Sequence, residues 1–322
     1  MRRITKTAAA FVLTLVLAAF PAQAAQIFVS NEKDNTVTVI DSDTLKPIKV
    51  IPVGRRPRGI VIAPDHKEVF VALGDDDNIA VIATDKLEVS RHLDSGPDPE
   101  LMDIDPKGER VYIANEDDAL VTIMDRKSGS VVGEVPVGVE PEGMRVSPDN
   151  KITVATSESS SMAHFIDNET KEVVANVLVD TRPRYAEWTA DGSRVWVSSE
   201  VGGTISVIDP KSHEVIKVIN FVIPGVSDDL IQPVGIRFSK DGKLAFVALG
   251  PANRVAVVDA ETYELKGYIL VGQRPWHMEV LGTKLYVANG QTNDMTVIDI
   301  PTLKAERSVP VGRLPWGIAI KP

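Results

Sequence analysis

A pattern of four short apolar segments repeats along the chain, and it is clearest between residues 283 and 320. There the segments LYVAN, MTVID, RSVPV and WGIAI alternate apolar and polar residues, and each ends in a polar, Gly or Pro turn. Such alternation is typical of antiparallel strands with one buried face. The segment LYVAN, centred on Val287, has six upstream counterparts, centred on Val29, Val71, Ile113, Val154, Val197 and Val247. The successive spacings are 42, 42, 41, 43, 50 and 40 residues.

Seven copies of a four-stranded unit at this period predict an all-β fold, a seven-bladed β-propeller of antiparallel blades occupying residues 25–322. We name the strands of each blade a to d, from the innermost outward. The first repeat starts directly in a b strand at 27–31, and the chain ends in an a strand at 317–320. We therefore expect the C-terminal strand to complete the N-terminal blade, blade 1, which removes the open sheet edges.

The first 24 residues have a different character. Three basic residues precede an apolar run at 8–20, and the small-residue triplet AQA follows at 22–24. This order predicts a secretory signal peptide cleaved before Ala25, and therefore export to a bacterial periplasm. A membrane anchor is the alternative, but a run of 13 residues is shorter than the roughly 20 needed to span a bilayer.

The charge balance and the absence of cysteine exclude several classes of function. The formal net charge is −10, and removal of the three basic residues of segment 1–24 makes it −13. Such a chain is repelled by nucleic acids and anionic lipids, so we expect neither as a partner. The sequence has no Cys, which excludes disulfides, thiolate metal sites and thiol catalysis. We expect a monomer without a metal ion.

Most c strands end in an aspartate, which predicts a structural role in the following turn. A residue that serves nearly every blade is expected to accept backbone hydrogen bonds rather than to perform chemistry. The six aspartates are Asp41, Asp125, Asp167, Asp209, Asp259 and Asp299.

The d–a loops are the most individual part of the repeat, and alternation places them on one face with the b–c loops. We call this the funnel face. Each d–a loop carries a Pro that is expected to hold the chain extended before strand a. Their flanking residues differ, as expected of a site on a regular scaffold. The basic and aromatic candidates for ligand or partner binding are Arg55, Arg56, Arg58, Arg182, Arg184, Arg274, Trp276, His277, Arg313 and Trp316.

Two interpretations of these loops remain open. Acidic residues dominate blades 3 and 4, so the face could be polarised, with a basic, Trp-bearing arc that holds a planar anion by bidentate pairing and stacking. Alternatively, the charges pair with one another across neighbouring blades. The acidic residues are Asp98, Glu100, Glu140 and Glu142.

A second charge pattern occupies the middle of five consecutive a strands, where the sign alternates. We predict a belt of ion pairs between blades near the channel wall, which would fix blade register. A role in proton transfer is the alternative, because paired carboxylates in a channel acquire shifted pKa values. The belt residues are Asp103, Arg145, Glu187, Arg237 and Glu279, and the two remaining blades have Ala319 and Val61 at this position.

The 50-residue spacing reflects an insertion at 221–233, between strand d of blade 5 and strand a of blade 6. Its apolar tip contains Phe221, Val222 and Ile223. We expect either an insert tucked over the blade edge or an exposed lid or docking element for a partner.

The units LYVANGQTNDMTVID and VYIANEDDALVTIMD, each followed by VPVG, resemble the YVTN repeat of seven-bladed propellers. With the signal peptide, the ELMDIDPKGERVYIANEDDA unit and the terminal PWGIAIKP, the layout most resembles the periplasmic PQQ-dependent catabolism-associated β-propeller proteins. That family is linked by genome context with quinoprotein alcohol oxidation and an ABC-type export system. The resemblance implies an accessory role and supplies no catalytic residues.

Our first functional hypothesis is therefore a non-enzymatic periplasmic binding or scaffold propeller that serves PQQ-dependent alcohol oxidation. It would recognise a quinoprotein dehydrogenase, a cytochrome or an anionic small molecule on the funnel face. PQQ is a planar polycarboxylate, so it is a possible ligand of the Arg and Trp arc, although no bound cofactor is expected. The alternative is a lactonase-like hydrolase in the channel, with His277, Glu279 and Arg237 as acid–base and oxyanion groups. Single-stranded nucleic-acid binding conflicts with the acidic charge.

Overall fold

The computed structural model describes residues 24–322, which form seven four-stranded antiparallel sheets arranged as the blades of a propeller. The fold class predicted from the repeat is confirmed. The signal peptide predicted at 1–24 lies, except for its last residue, outside the described residues. Within residues 24–322, no helix combines the length and the apolar character that crossing a membrane would require.

The first four blades have strands of similar length, which run from a to d as follows. Blade 1 contains β28 (Pro315–Lys321), β1 (Gln26–Asn31), β2 (Thr36–Asp41) and β3 (Pro47–Pro52). Blade 2 contains β4 (Pro57–Ile62), β5 (Glu68–Leu73), β6 (Asn78–Ala83) and β7 (Glu88–Asp94). Blade 3 contains β8 (Pro99–Ile104), β9 (Arg110–Asn115), β10 (Leu120–Asp125) and β11 (Val131–Pro136). Blade 4 contains β12 (Pro141–Val146), β13 (Ile152–Ser157), β14 (Met162–Asp167) and β15 (Glu172–Leu178).

The last three blades follow the same order. Blade 5 contains β16 (Pro183–Trp188), β17 (Val195–Ser199), β18 (Thr204–Asp209) and β19 (Glu214–Asn220). Blade 6 contains β20 (Pro233–Phe238), β21 (Leu244–Leu249), β22 (Arg254–Asp259) and β23 (Leu265–Leu270). Blade 7 contains β24 (Pro275–Leu281), β25 (Lys284–Asn289), β26 (Asp294–Asp299) and β27 (Lys304–Pro310). Two 3-10 helices of a single turn span Gly74–Asp76 and Asp228–Leu230.

The ring is closed by pairing of the two chain ends. Strand β28 pairs with β1 in antiparallel register, with Ile320 opposite Ile27. The side chain of Asn31 also accepts a hydrogen bond from the backbone N–H of Gly312 at 3.0 Å. Closure by the C-terminal strand, as the sequence predicts, is confirmed.

The turns after the c strands behave as predicted, because their aspartates bind the following backbone. Asp167, for example, accepts hydrogen bonds from the N–H groups of Glu169 and Thr170 at 2.9 and 2.8 Å. Equivalent bonds occur after all six c strands that end in Asp. These carboxylates are structural turn residues.

Each a strand contains an irregularity that aims its side chains at the channel. In blade 2, Pro57 pairs with Leu73 and Ile60 with Val71, so three steps along β4 match two along β5. This bulge reverses the alternation after the second residue of the strand. As a result, the second and fifth residues of the a strands both face the axis, which simple alternation would not place together.

Glycine at the third position of some a strands allows the blades to approach closely. A Cβ on Gly235 would lie 2.6 Å from the backbone oxygen of Trp276 and 3.1 Å from the His277 ring, both in the next blade. The equivalent residue is a glycine in blades 1, 2, 4 and 6 and a larger residue in blades 3, 5 and 7. His277 therefore fills the space that Gly235 leaves.

The insertion at 221–233 is tucked over blade edges, with one exposed apolar side chain at its tip. Phe221 and Ile223 are each 5% exposed and pack in the core, whereas Val222 is 72% exposed. The Tyr268 hydroxyl of blade 6 donates to the Val222 carbonyl at 2.9 Å and accepts from its N–H at 3.1 Å. The expected apolar tip of three residues is thus reduced to Val222.

Candidate functional site

The funnel face is assembled by one backbone contact that every blade repeats. The residue before each loop proline accepts, through its carbonyl, a hydrogen bond from a b–c loop N–H at 2.8 to 3.2 Å. In six of the seven blades this residue has a positive φ, for example 55° at Arg56 and 57° at Arg274. In these six blades the residue before the proline is therefore left-handed rather than extended, so the expectation of an extended chain at that residue is wrong for them. The arrangement brings d–a and b–c side chains together.

The arginines of blade 2 lie among carboxylates rather than facing open solvent. Arg56 pairs with Asp98 at 2.9 Å, and it also contacts Glu100. Arg58 pairs with Glu100 at 2.7 Å and with Glu32 at 3.2 Å. Glu100 is completely buried, so its ion pairs with both guanidinium groups lie in a desolvated site. The basic residues of blade 2 and the acidic residues of blade 3 therefore form ion pairs with one another.

A second cluster surrounds the arginines of blade 5. Arg184 is 7% exposed and pairs with Glu142 at 3.2 Å, and it also contacts Glu158. Arg182 pairs with Glu158 at 2.7 Å and with Glu200 at 3.4 Å. Burial raises the pKa of Glu142 well above its usual range, although neighbouring Arg184 acts in the opposite direction. This cluster is a desolvated charge network near the channel axis.

The aromatic candidates stack on one another and on an arginine. The Trp276 and Trp316 rings stack with centroids 6.2 Å apart, and the Arg274 guanidinium lies 4.4 Å from the Trp276 ring centre. Arg274 also pairs with Glu200 at 2.7 Å. His277 contacts the Trp316 ring, with centroids 4.1 Å apart. These side chains fill the upper channel, where Trp316 is only 1% exposed.

His277 is held as a neutral ring in this packing. Burial, followed by the positive charges of Arg237 and Arg184, lowers the pKa of His277 well below its usual value. On its other side the ring contacts Tyr185, with centroids 5.1 Å apart. His277 thus fills space between blades, and its neutral form suits that role at pH 7.

Two arginines of the candidate set lie at the outer rim of the face. Arg313 pairs with Asp34 at 2.5 Å, and Arg55 pairs with Asp76 at 2.6 Å. Both arginine side chains are about two-thirds exposed, at 65% and 64%. A backbone hydrogen bond from Arg313, followed by one from its side chain, lowers the pKa of Asp34. These pairs are solvent-screened.

Counted together, the central funnel network contains more carboxylates than arginines. Its ion pairs join five arginines to eight carboxylates: Arg56, Arg58, Arg182, Arg184 and Arg274 with Glu32, Asp75, Asp98, Glu100, Glu116, Glu142, Glu158 and Glu200. Pairing across blades, one of the two interpretations of the loops, therefore describes this face. A basic arc separate from an acidic arc does not describe it.

The excess of carboxylates is consistent with protons held in the network. Burial, followed by the charge of Glu100, raises the pKa of Glu116 to about 7. Ligand atoms of Asp98, Glu100 and Glu116 lie within 4.8 Å of one another, the spacing of a cation site. Arg56 already supplies positive charge there, at 2.9 Å from Asp98 and 3.9 Å from Glu116.

Sequence reasoning missed the carboxylates that the b–c turns contribute. Glu32, Glu116, Glu158 and Glu200 each come directly after the last residue of a b strand. Alignment of the seven b–c turns with one another would have found this shared position. These carboxylate partners of the arginines could therefore have been predicted from the repeat.

The five belt residues lie in one chain of ion pairs toward the other end of the channel. Arg145 contacts Asp103 at 3.5 Å and Glu187 at 3.0 Å. Arg237 contacts Glu187 at 2.7 Å and Glu279 at 3.0 Å. Burial raises the pKa of Glu187, although Arg145 and Arg237 oppose this change. We call the channel end at the a–b turns the lower mouth.

Comparison with known proteins finds this fold in other chains. The sequence profile of a family described as YNCE-like β-propeller matches residues 4–107, less than half of the chain. No curated protein matches the sequence.

Three solved structures resemble the chain over most of its length. Hydrazine synthase of Kuenenia stuttgartiensis has a TM-score of 0.77 at 21% identity, covering 85% of this chain and 92% of that one. A functionally unknown protein of Desulfotomaculum acetoxidans DSM 771 has 0.75 at 17% identity, with 92% and 98% covered. A candidate 6-phosphogluconolactonase of Bacteroides fragilis NCTC 9343 has 0.77 at 18% identity, with 94% and 99% covered. At these identities the likeness shows the fold alone.

Proposed function

We propose that this propeller is a non-enzymatic periplasmic scaffold that docks a partner protein on its funnel face, as an accessory of PQQ-dependent alcohol oxidation. The observation that carries the docking role is the pairing of the funnel arginines with carboxylates of the same chain. A free anion would have to displace partners such as Glu200, which pairs with Arg274 at 2.7 Å. A protein surface can instead complement the finished charge pattern without breaking it.

The anionic small molecule of our first hypothesis receives less support from this geometry. A planar ligand such as PQQ would need an open indole face, but Trp276 is covered by Arg274 on one side and stacks on Trp316. Calorimetric titration of PQQ tests this version directly. Heat that disappears in the double variant Arg274→Ala and Arg313→Ala would revive it.

The proposed docking surface centres on the insertion between blades 5 and 6. Val222 is 72% exposed, and Leu230 of the same insertion is 41% exposed. The insertion lies against the b–c loop of blade 5, where Val201 is 60% exposed and the Ile231 carbonyl adjoins Gly203. An exposed apolar centre beside charged groups is the anatomy of a protein interface. A quinoprotein dehydrogenase or a cytochrome is the partner that the family resemblance favours.

Affinity capture from the periplasm of alcohol-grown cells tests this proposal. The wild-type protein is expected to retain a quinoprotein or a cytochrome, identified by mass spectrometry and haem absorbance. The double variant Val222→Asp and Leu230→Asp should lose at least tenfold of the retained partner. Ile48→Asp, a matched change on the outer strand of blade 1 where Ile48 is 47% exposed, should retain it fully. Equal retention by both variants would refute docking at the insertion.

A lactonase-like hydrolase is the second candidate, favoured by the structural likeness to a candidate 6-phosphogluconolactonase. Of its three proposed groups, Glu279 and Arg237 form an ion pair at 3.0 Å beside a cavity. His277 is 6% exposed and packs between aromatic rings, so it has little access to a substrate. A 6-phosphogluconolactone hydrolysis assay decides: turnover that falls in both Glu279→Gln and His277→Ala would replace the scaffold proposal.

A further inference from the structure

The lower mouth of the channel combines two chemically different walls around a cavity of about 310 Å³, and the belt residues also line an adjoining cavity of about 440 Å³. The wall on blades 3 to 7 carries belt residues, whereas that on blades 7, 1 and 2 is aliphatic. The aliphatic residues that line it include Ile60, Val61, Leu281, Ile318 and Ala319. This volume is at the lower end of the about 300 to 1,000 Å³ typical of small-molecule sites.

The alternation of charge around the ring of a strands is interrupted at blades 1 and 2. From blade 3 to blade 7 the belt runs negative, positive, negative, positive, negative, so its formal charge is −1. The central carboxylate, Glu187, has an arginine on each side, at 3.0 and 2.7 Å. Among the residues that the structure describes, the terminal carboxylates, Asp103 and Glu279, each have an arginine on one side only. The two remaining belt positions, between them around the ring, hold Ala319 and Val61.

The two terminal carboxylates keep capacity to bind a further donor. Asp103 accepts the backbone N–H groups of Ile104 and Val146, both at 2.9 Å. Glu279 accepts the N–H of Val280 at 3.0 Å. A carboxylate has about four acceptor positions, so each retains at least one. Their side chains are 14% and 27% exposed, and both line the cavity.

We propose that the lower mouth binds a small alkylammonium ion, whose positive head lies between Asp103 and Glu279 and whose apolar part lies against the aliphatic wall. The ammonium group supplies the one positive charge that completes the alternation around the ring. Its three N–H donors match the two carboxylates and water. The aliphatic wall selects an organic cation over a metal ion, which gains nothing from apolar contact.

The site is independent of the proposed docking surface, because it opens at the a–b turns on the opposite face. The upper channel is filled by side chains such as Arg184, Glu142 and Trp316, each less than a tenth exposed. Variants of Val222 and Leu230 should therefore leave ligand binding at the lower mouth unchanged. Failure of one proposal is distinguishable from failure of the other.

Isothermal titration calorimetry of the purified protein with n-butylammonium chloride tests the inference. Binding is expected for n-butylammonium and not for n-butanol, sodium butyrate or calcium chloride. Glu279→Gln should weaken it at least tenfold, since the head group loses one of its two carboxylates. Val61→Lys should weaken it at least tenfold as well, because it places a built-in ammonium at the gap. Glu264→Gln, whose side chain is 73% exposed on the outer part of blade 6, should bind as the wild type does.

Four results would overturn the proposal. The first three are no binding of n-butylammonium, equal binding of n-butanol, and n-butylammonium binding that both channel variants leave intact. The fourth is displacement of n-butylammonium by calcium, because the site would then be a metal site. Circular dichroism establishes that each variant is folded. If Glu279→Gln does not fold, Val61→Lys decides alone, because it removes no contact of the belt.

Discussion

The centre and the rim of the funnel face use the same residue types in opposite ways. At the centre, the side chains of Arg184 and Glu142 are 8% and 1% exposed. At the rim, those of Arg313 and Asp34 are 65% and 29% exposed. Both arginines belong to the same Pro-containing segment of the repeat, Arg313 two residues before its proline and Arg184 one residue after it. The role of a charge on this face is therefore defined by its radial position: buried pairs set blade geometry, and exposed pairs are free to meet a partner.

Removal of a central arginine should give the largest effect. Arg184→Met keeps much of the side-chain volume but leaves Glu142, Glu158 and Glu200 buried without their shared cation. Breaking a buried pair in this way costs about 3 to 5 kcal/mol. Urea unfolding followed by circular dichroism would measure the loss. A loss of stability below about 1 kcal/mol would mean that the central ion pairs contribute no more than the rim pairs, and the proposed difference between them would be wrong.

Protonation of Glu116 gives an intermediate, pH-dependent effect. Its pKa is about 7 in the folded protein against 4.5 ordinarily, because of burial and then the charge of Glu100. Below pH 4.5 both states hold the proton, whereas between 4.5 and 7 only the folded state keeps it. Stability is therefore lost as the pH rises through this window, by less than about 3 kcal/mol because water partly screens this half-buried carboxylate.

Glu116→Gln should remove this dependence. The variant is expected to be more stable than the wild type at pH 8, and the difference should shrink toward pH 4.5. Urea midpoints at pH 5, 6, 7 and 8 provide the measurement. Asp118→Asn, an exposed change in the same b–c loop, is the matched control and should follow the wild-type curve. A wild-type curve that rises from pH 5 to pH 8 with the same slope in Glu116→Gln would contradict the assignment.

The repeat itself was sufficient to predict the fold and the turn chemistry. The period predicted seven blades, and the chain ends predicted their closure through β28 and β1. The belt position was also visible, because the charges recur at the fifth residue of successive a strands. These features depend on local alternation and on spacing, which a single sequence displays directly.

The funnel contacts could not be predicted in the same way. The bulge in each a strand places its second and fifth residues on one face, so Glu142 and Arg145 both face the channel although alternation separates them. The left-handed residue before six of the seven loop prolines turns arginines such as Arg56 toward the neighbouring blade. Loops that are basic or acidic when read separately therefore neutralise one another. The tip of the insertion was unpredictable for a related reason, since the burial of Phe221 and Ile223 depends on packing against neighbouring blades.

The smallest effect on stability is expected at the rim, where Arg313→Met removes a pair that water already screens. Exposed ion pairs contribute about 0 to 1 kcal/mol, so the urea midpoint should barely move. If the rim meets a partner through its charges, however, the same substitution should slow association, and the difference from wild type should diminish as salt is raised. Surface plasmon resonance at 50 and 300 mM salt, with the captured partner as ligand, separates the two effects. Arg55→Met, the second rim arginine, is the comparison variant. A large loss of stability in Arg313→Met would mean that the closing blade depends on its rim pair with Asp34, and radial position would then not define the role of a funnel charge.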